Sequence, residues 1–493
     1  MAIQFNEIST NNRQPWARLE FDNSKAVTGL AENPHVIMII GQKTSEGTAA
    51  TNEIKKITQA GLEQGYFGKG SILARMIAAA KALNNQNDIF GMALSDGIGA
   101  TIASTTIDLS AALLSNLVTG NHTWHLMVAG KYIPVAVADG MSGGAIATAT
   151  KAVINADTTL PVLASAVSGK VNLKAKNNGT LGNDINVTQN YFDGNENPDC
   201  FSIIPIIPLM AGGTIDPDLG DAWDVIAGEQ YHGIIQPYTD TSNLTSLTNE
   251  LARRWNANIA LDVLSYTSAR ATLGEATALG NSLNNPYLTF MPAQDSPSGP
   301  EIWAAEYGAL DVRYLNQDPA RPLHGIALNV LPPKTENRWT GEERNGLLYD
   351  GVSTYTVSKD GTVRIERAIT TYQVNSVDLP DISYLDLMTP ATNMELRYQW
   401  VLRMGTLFIA PRKKLANDGT PPIDGVVTPQ DIKSATIALF SELQLTKGLI
   451  EDMEAFKQTI IAERSGSNRV DVLFQPNLIN QLMQIAGKAQ FIL

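Results

Sequence analysis

Along the chain, unbroken apolar runs alternate with segments whose apolar positions recur every three to four residues. His35 to Ile40 (HVIMII) is a run of the kind that a parallel sheet buries on both faces. Ser71 predicts a cap for a helix ending near Leu83, with Ile72, Met76, Ala80 and Leu83 along one stripe. Ile89 to Leu94 predicts the next strand. The same rhythm returns beyond residue 200, with strands expected at Ile203 to Leu209, Gly233 to Gln236, Ile259 to Leu264 and Tyr287 to Met291. Helical patterns at Leu244 to Trp255 and Ser268 to Asn281 fall between them. Such alternation implies right-handed crossovers and a mostly parallel sheet, shared most simply with the strands of residues 35–94.

Between these stretches the pattern changes. Residues 98–200 are rich in Gly, Ala, Thr and Asn, with short alternating strands (His125 to Val128, Tyr132 to Val137, Lys170 to Lys174) and one helix near Ala145 to Ile154. This reads as a small α+β insert. Further on, Val352 to Val357 and Val363 to Ile369 flank Lys359-Asp360-Gly361, which predicts a hairpin. A helix follows around Ala391 to Leu407. The clearest helix starts at Thr428 and Pro429, with Leu439, Leu443, Leu449, Met453, Phe456 and Ile460 along its stripe and a break at Gly448. The last 24 residues read as a strand (Val470 to Phe474), a helix (Asn477 to Ile485) and a strand (Ala489 to Leu493). No turn follows that final strand, so its partner must lie elsewhere in the chain or in another subunit. Residues 1–30 lack helical period; they read either as a disordered end or as an arm that adds a strand to a neighbour's sheet edge.

Composition narrows the classes. A length of 493 residues suggests about three domains, and 44% hydrophobic content is that of a folded globular chain. With 36 Lys and Arg against 49 Asp and Glu, the net charge of −13 argues against direct nucleic-acid binding. No apolar run reaches the roughly 20 residues that cross a bilayer, so membrane insertion is not expected. The N-terminus lacks the basic start and apolar core of a secretory signal. A single cysteine, Cys200, cannot form an internal disulfide and fits a reducing cytoplasm.

Candidate chemistry is sparse. Gly140-Met141-Ser142-Gly143-Gly144 matches the G-x-S-x-G turn of hydrolases, yet Ser142 is equally a helix cap and lies in the insert. The five histidines (His35, His122, His125, His232, His324) sit in no catalytic signature and are expected to be structural. His122 and His125 could supply two metal ligands, but no third is near in sequence, and on a strand they point to opposite faces. Gly65 to Ser71 lacks the spacing of a phosphate-binding loop and reads as a turn into a helix. Arg412-Lys413-Lys414 reads as a solvated loop or, alternatively, as a contact with an acidic partner. No cofactor, metal or catalytic residue is expected.

Several runs carry a family likeness. Arg364-Ile365-Glu366-Arg367-Ala368-Ile369-Thr370-Thr371-Tyr372-Gln373-Val374-Asn375, followed by Ser383-Tyr384-Leu385-Asp386, resembles the tail sheath proteins of Mu-like contractile bacteriophages. Asp318-Pro319-Ala320-Arg321-Pro322-Leu323, Glu343-Arg344-Asn345-Gly346-Leu347-Leu348, Asp471-Val472-Leu473-Phe474-Gln475-Pro476 and Phe67-Gly68-Lys69-Gly70-Ser71 are similar to the same family, in order. The resemblance implies an α/β core, subtilisin-like in fold, with an inserted small α+β domain, an α+β C-terminal domain and extended terminal arms. On this chain that division is an arm at 1–30, core at 31–97, insert at 98–200, core again at 201–330, C-terminal domain at 331–484 and a terminal strand at 485–493.

It also implies a structural subunit of a virion tail, assembled in the host bacterial cytoplasm as stacked hexameric rings around a tail tube protein. Baseplate and tail terminator proteins are further implied partners. Arg18, Leu19, Glu20 and Phe21 at one end, and Gln490, Phe491, Ile492 and Leu493 at the other, are the expected subunit-linking strands. In this family a helix near the C-terminus faces the tube; here the candidates are Asn477, Asn480, Gln481 and Gln484. The alternatives are the sheath of a bacteriocin-like contractile injection system and, from another class, an α/β serine hydrolase using Ser142.

Overall fold

The computed structural model describes residues 30–113, 117–421 and 423–492. The chain divides into two compact units: Pro34–Arg397 with Leu478–Leu493, and Met1–Asn33 with Tyr398–Asn477.

The larger unit is built on a six-stranded sheet. Its strands are β1 (Val36–Gln42), β2 (Ile54–Lys56), β3 (Asp88–Leu94), β10 (Gly233–Ile235), β11 (Leu264–Thr267) and β12 (Leu288–Phe290), in the order β12-β11-β10-β1-β3-β2. All pairings are parallel except β2 with β3. The central strand β1 is buried along nearly its whole length, as the run HVIMII predicts. Ser71 caps the helix Ile72–Leu83, its Oγ accepting the Ala74 N–H at 3.1 Å.

The helix Pro300–Gln317 packs on β10 and β11 and is absent from the sequence expectation. Thirteen of its 18 residues are buried, so no polar stripe marks it. Its approach to the sheet is close: a Cβ on Gly308 would lie 2.8 Å from the Ile235 and Tyr266 side chains. The expected strand at Ile203 to Leu209 does not form. Pro205 and Pro208 lack the N–H that a ladder needs, and the segment forms no strand, with Ile203, Ile204, Ile206 and Leu209 exposed. The strand expected at Ile259 to Leu264 begins only at Leu264.

Two further three-stranded antiparallel sheets occupy residues 102–189. β4 (Ile102–Asp108), β8 (Lys170–Asn178) and β7 (Val162–Val167) form one; β6 (Lys131–Val137), β5 (His122–Val128) and β9 (Val187–Gln189) form the other. With the helix Gly143–Ala156 they enclose a separate apolar core around Trp124, Ile146 and Leu173. The sheet β13 (Ala327–Leu328), β15 (Val363–Arg367), β14 (Thr354–Val357) contains the predicted hairpin. Its turn closes where the Gly361 N–H meets the Ser358 carbonyl at 2.9 Å, with Gly361 at φ +83°.

In the smaller unit, Thr428 caps the helix Pro429–Lys447 in a reciprocal box with Asp431. Gly448, in the left-handed conformation, ends it, and a separate helix, Met453–Thr459, follows. Phe440 stacks on Phe456 at 4.7 Å. Phe474 closes the cluster, 5.2 Å from Phe440 and 5.8 Å from Trp400.

Candidate assembly surfaces

Two adjoining segments near the C-terminus present unpaired backbone. Ile461–Arg464 and Val470–Leu473 form an antiparallel hairpin, a two-stranded sheet with no third strand among the described residues. The Ser465 N–H donates to the Arg469 carbonyl at 3.2 Å. Antiparallel pairs alternate between hydrogen-bonded and non-bonded, so this bond turns the N–H and C=O of Val470 and Val472 outward. Ile461 and Leu473 are 52% and 57% exposed, which leaves both apolar surface and backbone open on a short ribbon. The aromatic cluster at Phe474 holds the ribbon's exit in place.

The tail beyond it differs from its expected form. Asn477–Leu478 is a two-residue strand, and residues 479–492 adopt no regular element, so the helix Asn477 to Ile485 does not form. A nine-residue helix is marginal by itself, and here polar side chains find partners outside any helix. Asn477 donates to Glu451 at 3.1 Å and Gln481 to the Ala320 carbonyl at 3.2 Å. Met483 packs on the core, while Asn480 and Gln484 point to solvent. Every residue from Gln484 to Ile492 is exposed, with Phe491 at 85% and Ile492 at 98%. Gln490, Phe491 and Ile492 therefore pair with no strand among the described residues. Arg18, Leu19, Glu20, Phe21 and Leu493 lie outside the described residues.

At the other end, the root of the N-terminal segment is tied down. The Gln399 side chain bonds both backbone groups of Ala31, accepting at 3.3 Å and donating at 2.7 Å, as a neighbouring strand would. The Tyr398 hydroxyl donates to the Glu32 carbonyl at 2.9 Å.

The candidate chemical groups have structural roles. Ser142 Oγ accepts the Ala145 N–H at 3.3 Å as the cap of the helix Gly143–Ala156. His35 and His232 stack at 4.3 Å, and His232 Nδ1 accepts the Val36 N–H at 3.1 Å. Burial, reinforced by His35, pushes the His232 imidazole down to about 3, so it is neutral. His122 meets the Thr119 carbonyl and His324 the Glu366 carbonyl. Among the described residues no group of three His, Cys, Asp or Glu could hold a metal, and no helix is long and apolar enough to cross a membrane.

Shifted carboxyls lie inside the framework. Burial pushes Glu306 up to about 7, although its Oε2 accepts the Asn329 N–H at 2.6 Å. Burial likewise raises Asp262 to about 7 against the opposing pull of Arg397, its ion-pair partner. These groups cross-brace elements of the fold, and none sits beside a nucleophile.

The comparisons with known proteins decide the family. The pattern of the phage tail sheath protein central domain matches residues 212–371, and that of the phage tail sheath C-terminal domain matches residues 384–492. The Mu-like prophage FluMu tail sheath protein of Haemophilus influenzae is 35% identical over 497 residues, covering all of both chains. The chain belongs to the phage tail sheath family. It is a structural component of a phage tail, not an enzyme, which disposes of the hydrolase reading of Ser142. Solved structures similar to this sheath protein include the sheath tail protein of Desulfitobacterium hafniense, with a TM-score of 0.46 and 11% identity, covering 94% of this chain and 100% of that one. Another is the sheath of an extracellular contractile injection system in its contracted state, with a TM-score of 0.48 and 8% identity, covering 98% of each chain.

Proposed function

We propose that the chain polymerises through its two ends into stacked hexameric rings around an inner tail tube, and that these rings rearrange into a wider, shorter lattice to drive the tube through the host envelope for DNA delivery. The observation that carries this reading is a pair of complementary deficits: among the described residues, a ribbon with open edges and an exposed apolar tail with no strand partner. Addition of one copy's extended end to another's ribbon satisfies both. Arg18 to Phe21 and Gln490 to Leu493 are the linking strands of this reading, and the arm, interrupted core, insert and C-terminal domain divide the chain as set out above, with the core subtilisin-like. Linkage by strands lets subunits turn as near-rigid bodies without detaching, and the stored free energy then resides in interfaces. Asn477, Asn480, Gln481 and Gln484 remain the tube-facing candidates, now outside any helix. Baseplate and tail terminator proteins bound the polymer at its ends, and assembly takes place in the host cytoplasm.

Electron microscopy of the purified chain tests the proposal. Long striated tubules are expected from the full chain, and only small particles once residues 1–20 and 485–493 are removed. Normal tubules from the trimmed chain would refute linkage through the ends.

A further inference from the structure

In a chain of net charge −13, one recess is basic. A cleft of about 360 Å³ beside β13, an edge strand among the described residues, is lined by Tyr314, Arg321, Pro322, His324, Ile326 and Arg364, with no described carboxylate in its wall. Arg364 is held ready: its Nε donates to Ser358 Oγ and its Nη1 to the Gly325 carbonyl, both at 3.0 Å, and neither is a charged partner. The Nη2 edge is left for a ligand. His324 binds the Glu366 carbonyl through Nδ1 at 2.8 Å, which leaves Nε2 unengaged. Arg321 is exposed, and among the described residues its guanidinium has no hydrogen bond or ion pair.

Nearby carboxylates already have partners: Asp360, which feels the Arg364 charge, accepts the Thr362 N–H at 3.0 Å. Asp318 Oδ1 accepts the Ala320 N–H at 3.1 Å, and Glu366 pairs with Arg344 at 2.8 Å. The tail that passes the rim at Ala320 brings no acidic side chain to it, since residues 477–493 contain Lys488 and no Asp or Glu.

We infer that this cleft receives an aspartate or glutamate side chain from a second copy of the chain, in an intersubunit ion pair with Arg321 and Arg364. The inference rests on the proposed self-assembly and adds to it a specific side-face contact independent of the terminal strands. Charge complementarity selects the occupant: every copy carries an excess of 13 negative charges, so acidic groups are the prevalent counterpart on any neighbour. A planar guanidinium with a free edge suits a carboxylate held in two-point contact. The cleft is open to water, so a free small anion would be held weakly. A carboxylate on a polymerising neighbour arrives at high effective concentration.

The test compares the full chain with Arg321→Ala, Arg321→Glu and Arg321→Lys, measuring the concentration at which polymer appears at several salt concentrations. Because Arg321 makes no contact that the fold needs, the unfolding midpoint of all three variants is expected to match the unaltered chain. Arg321→Ala is expected to raise the critical concentration about tenfold and flatten its salt dependence, in line with one charge-assisted hydrogen bond. Arg321→Glu is expected to raise it further, and Arg321→Lys to recover part of the loss. Arg321→Glu assembling like the unaltered chain at all salts would overturn the cleft assignment alone. Calorimetric binding of inorganic phosphate below millimolar, lost in Arg321→Glu while assembly is unchanged, would overturn it in favour of a free-anion site. Absence of polymer from the unaltered chain would overturn the assembly reading, and this inference with it.

Discussion

Val472→Pro separates the fold of the open ribbon from its use. The register Ala462↔Val472, with the neighbouring bond at Ser465, turns the Val472 N–H away from the partner strand, so proline removes an edge donor and no hairpin bond. An incoming strand can bond the outward groups of Val470 and Val472, about four bonds at roughly 1 kcal/mol each. Covering the exposed halves of Ile461 and Leu473 adds roughly 1 kcal/mol apiece. Ordering about four tail residues costs roughly 4–8 kcal/mol, so the join sits near balance and small losses count. Losing one bond, with the ring obstructing the approaching carbonyl, is expected to weaken each link by about 1–3 kcal/mol, or roughly 5- to 150-fold in critical concentration. Sedimentation across a concentration series, with electron microscopy of the pellet, measures this. Val472→Ala, which keeps the N–H, is the control, and circular dichroism verifies the fold. If Val472→Pro polymerises at the unaltered concentration while remaining folded, the ribbon edge is not a docking edge.

Other expectations follow from particular groups. Removing residues 485–493, all exposed where described, should leave the unfolding midpoint unchanged and abolish tubules in the microscope. Glu306 is raised from 4.5 to about 7 in the fold, so the folded state keeps a proton that the unfolded chain releases. Its contribution is therefore greatest below pH 4.5 and falls by roughly 3 kcal/mol as pH rises to 7. Glu306→Gln should reduce the slope in urea unfolding at pH 4.5, 6 and 8 by this share, leaving that of Asp262, and an unchanged slope would place the proton elsewhere. Ser142→Ala should cost about 1 kcal/mol through loss of the cap and leave polymerisation intact. A serine-directed phosphonate should fail to label Ser142, and stoichiometric labelling would contradict its assignment as a cap alone.

Much of the local structure was written in the sequence. The apolar run at β1, the Ser71 and Thr428 caps and the Lys359-Asp360-Gly361 turn each specify their conformation through contacts within a few residues. The same locality explains the misses. The helix Pro300–Gln317 is buried almost all round, with Glu306 and Asp311 inside, so the polar face that marks a helix is missing. The run at Ile203 to Leu209 satisfies the apolar signature of a strand but not its hydrogen-bond requirement at Pro205 and Pro208.

The sequence by itself determined the rhythm of strands and helices and, through its likeness to a family, the class of protein. Only the tertiary structure decided that, among the described residues, the last ones have no strand partner, that the ribbon at Ile461–Leu473 keeps open edges, and that Arg321, His324 and Arg364 share one recess. Caps and turns depend on neighbours in the chain, whereas an unpaired edge or an unneutralised cleft depends on what the rest of the fold fails to bring there.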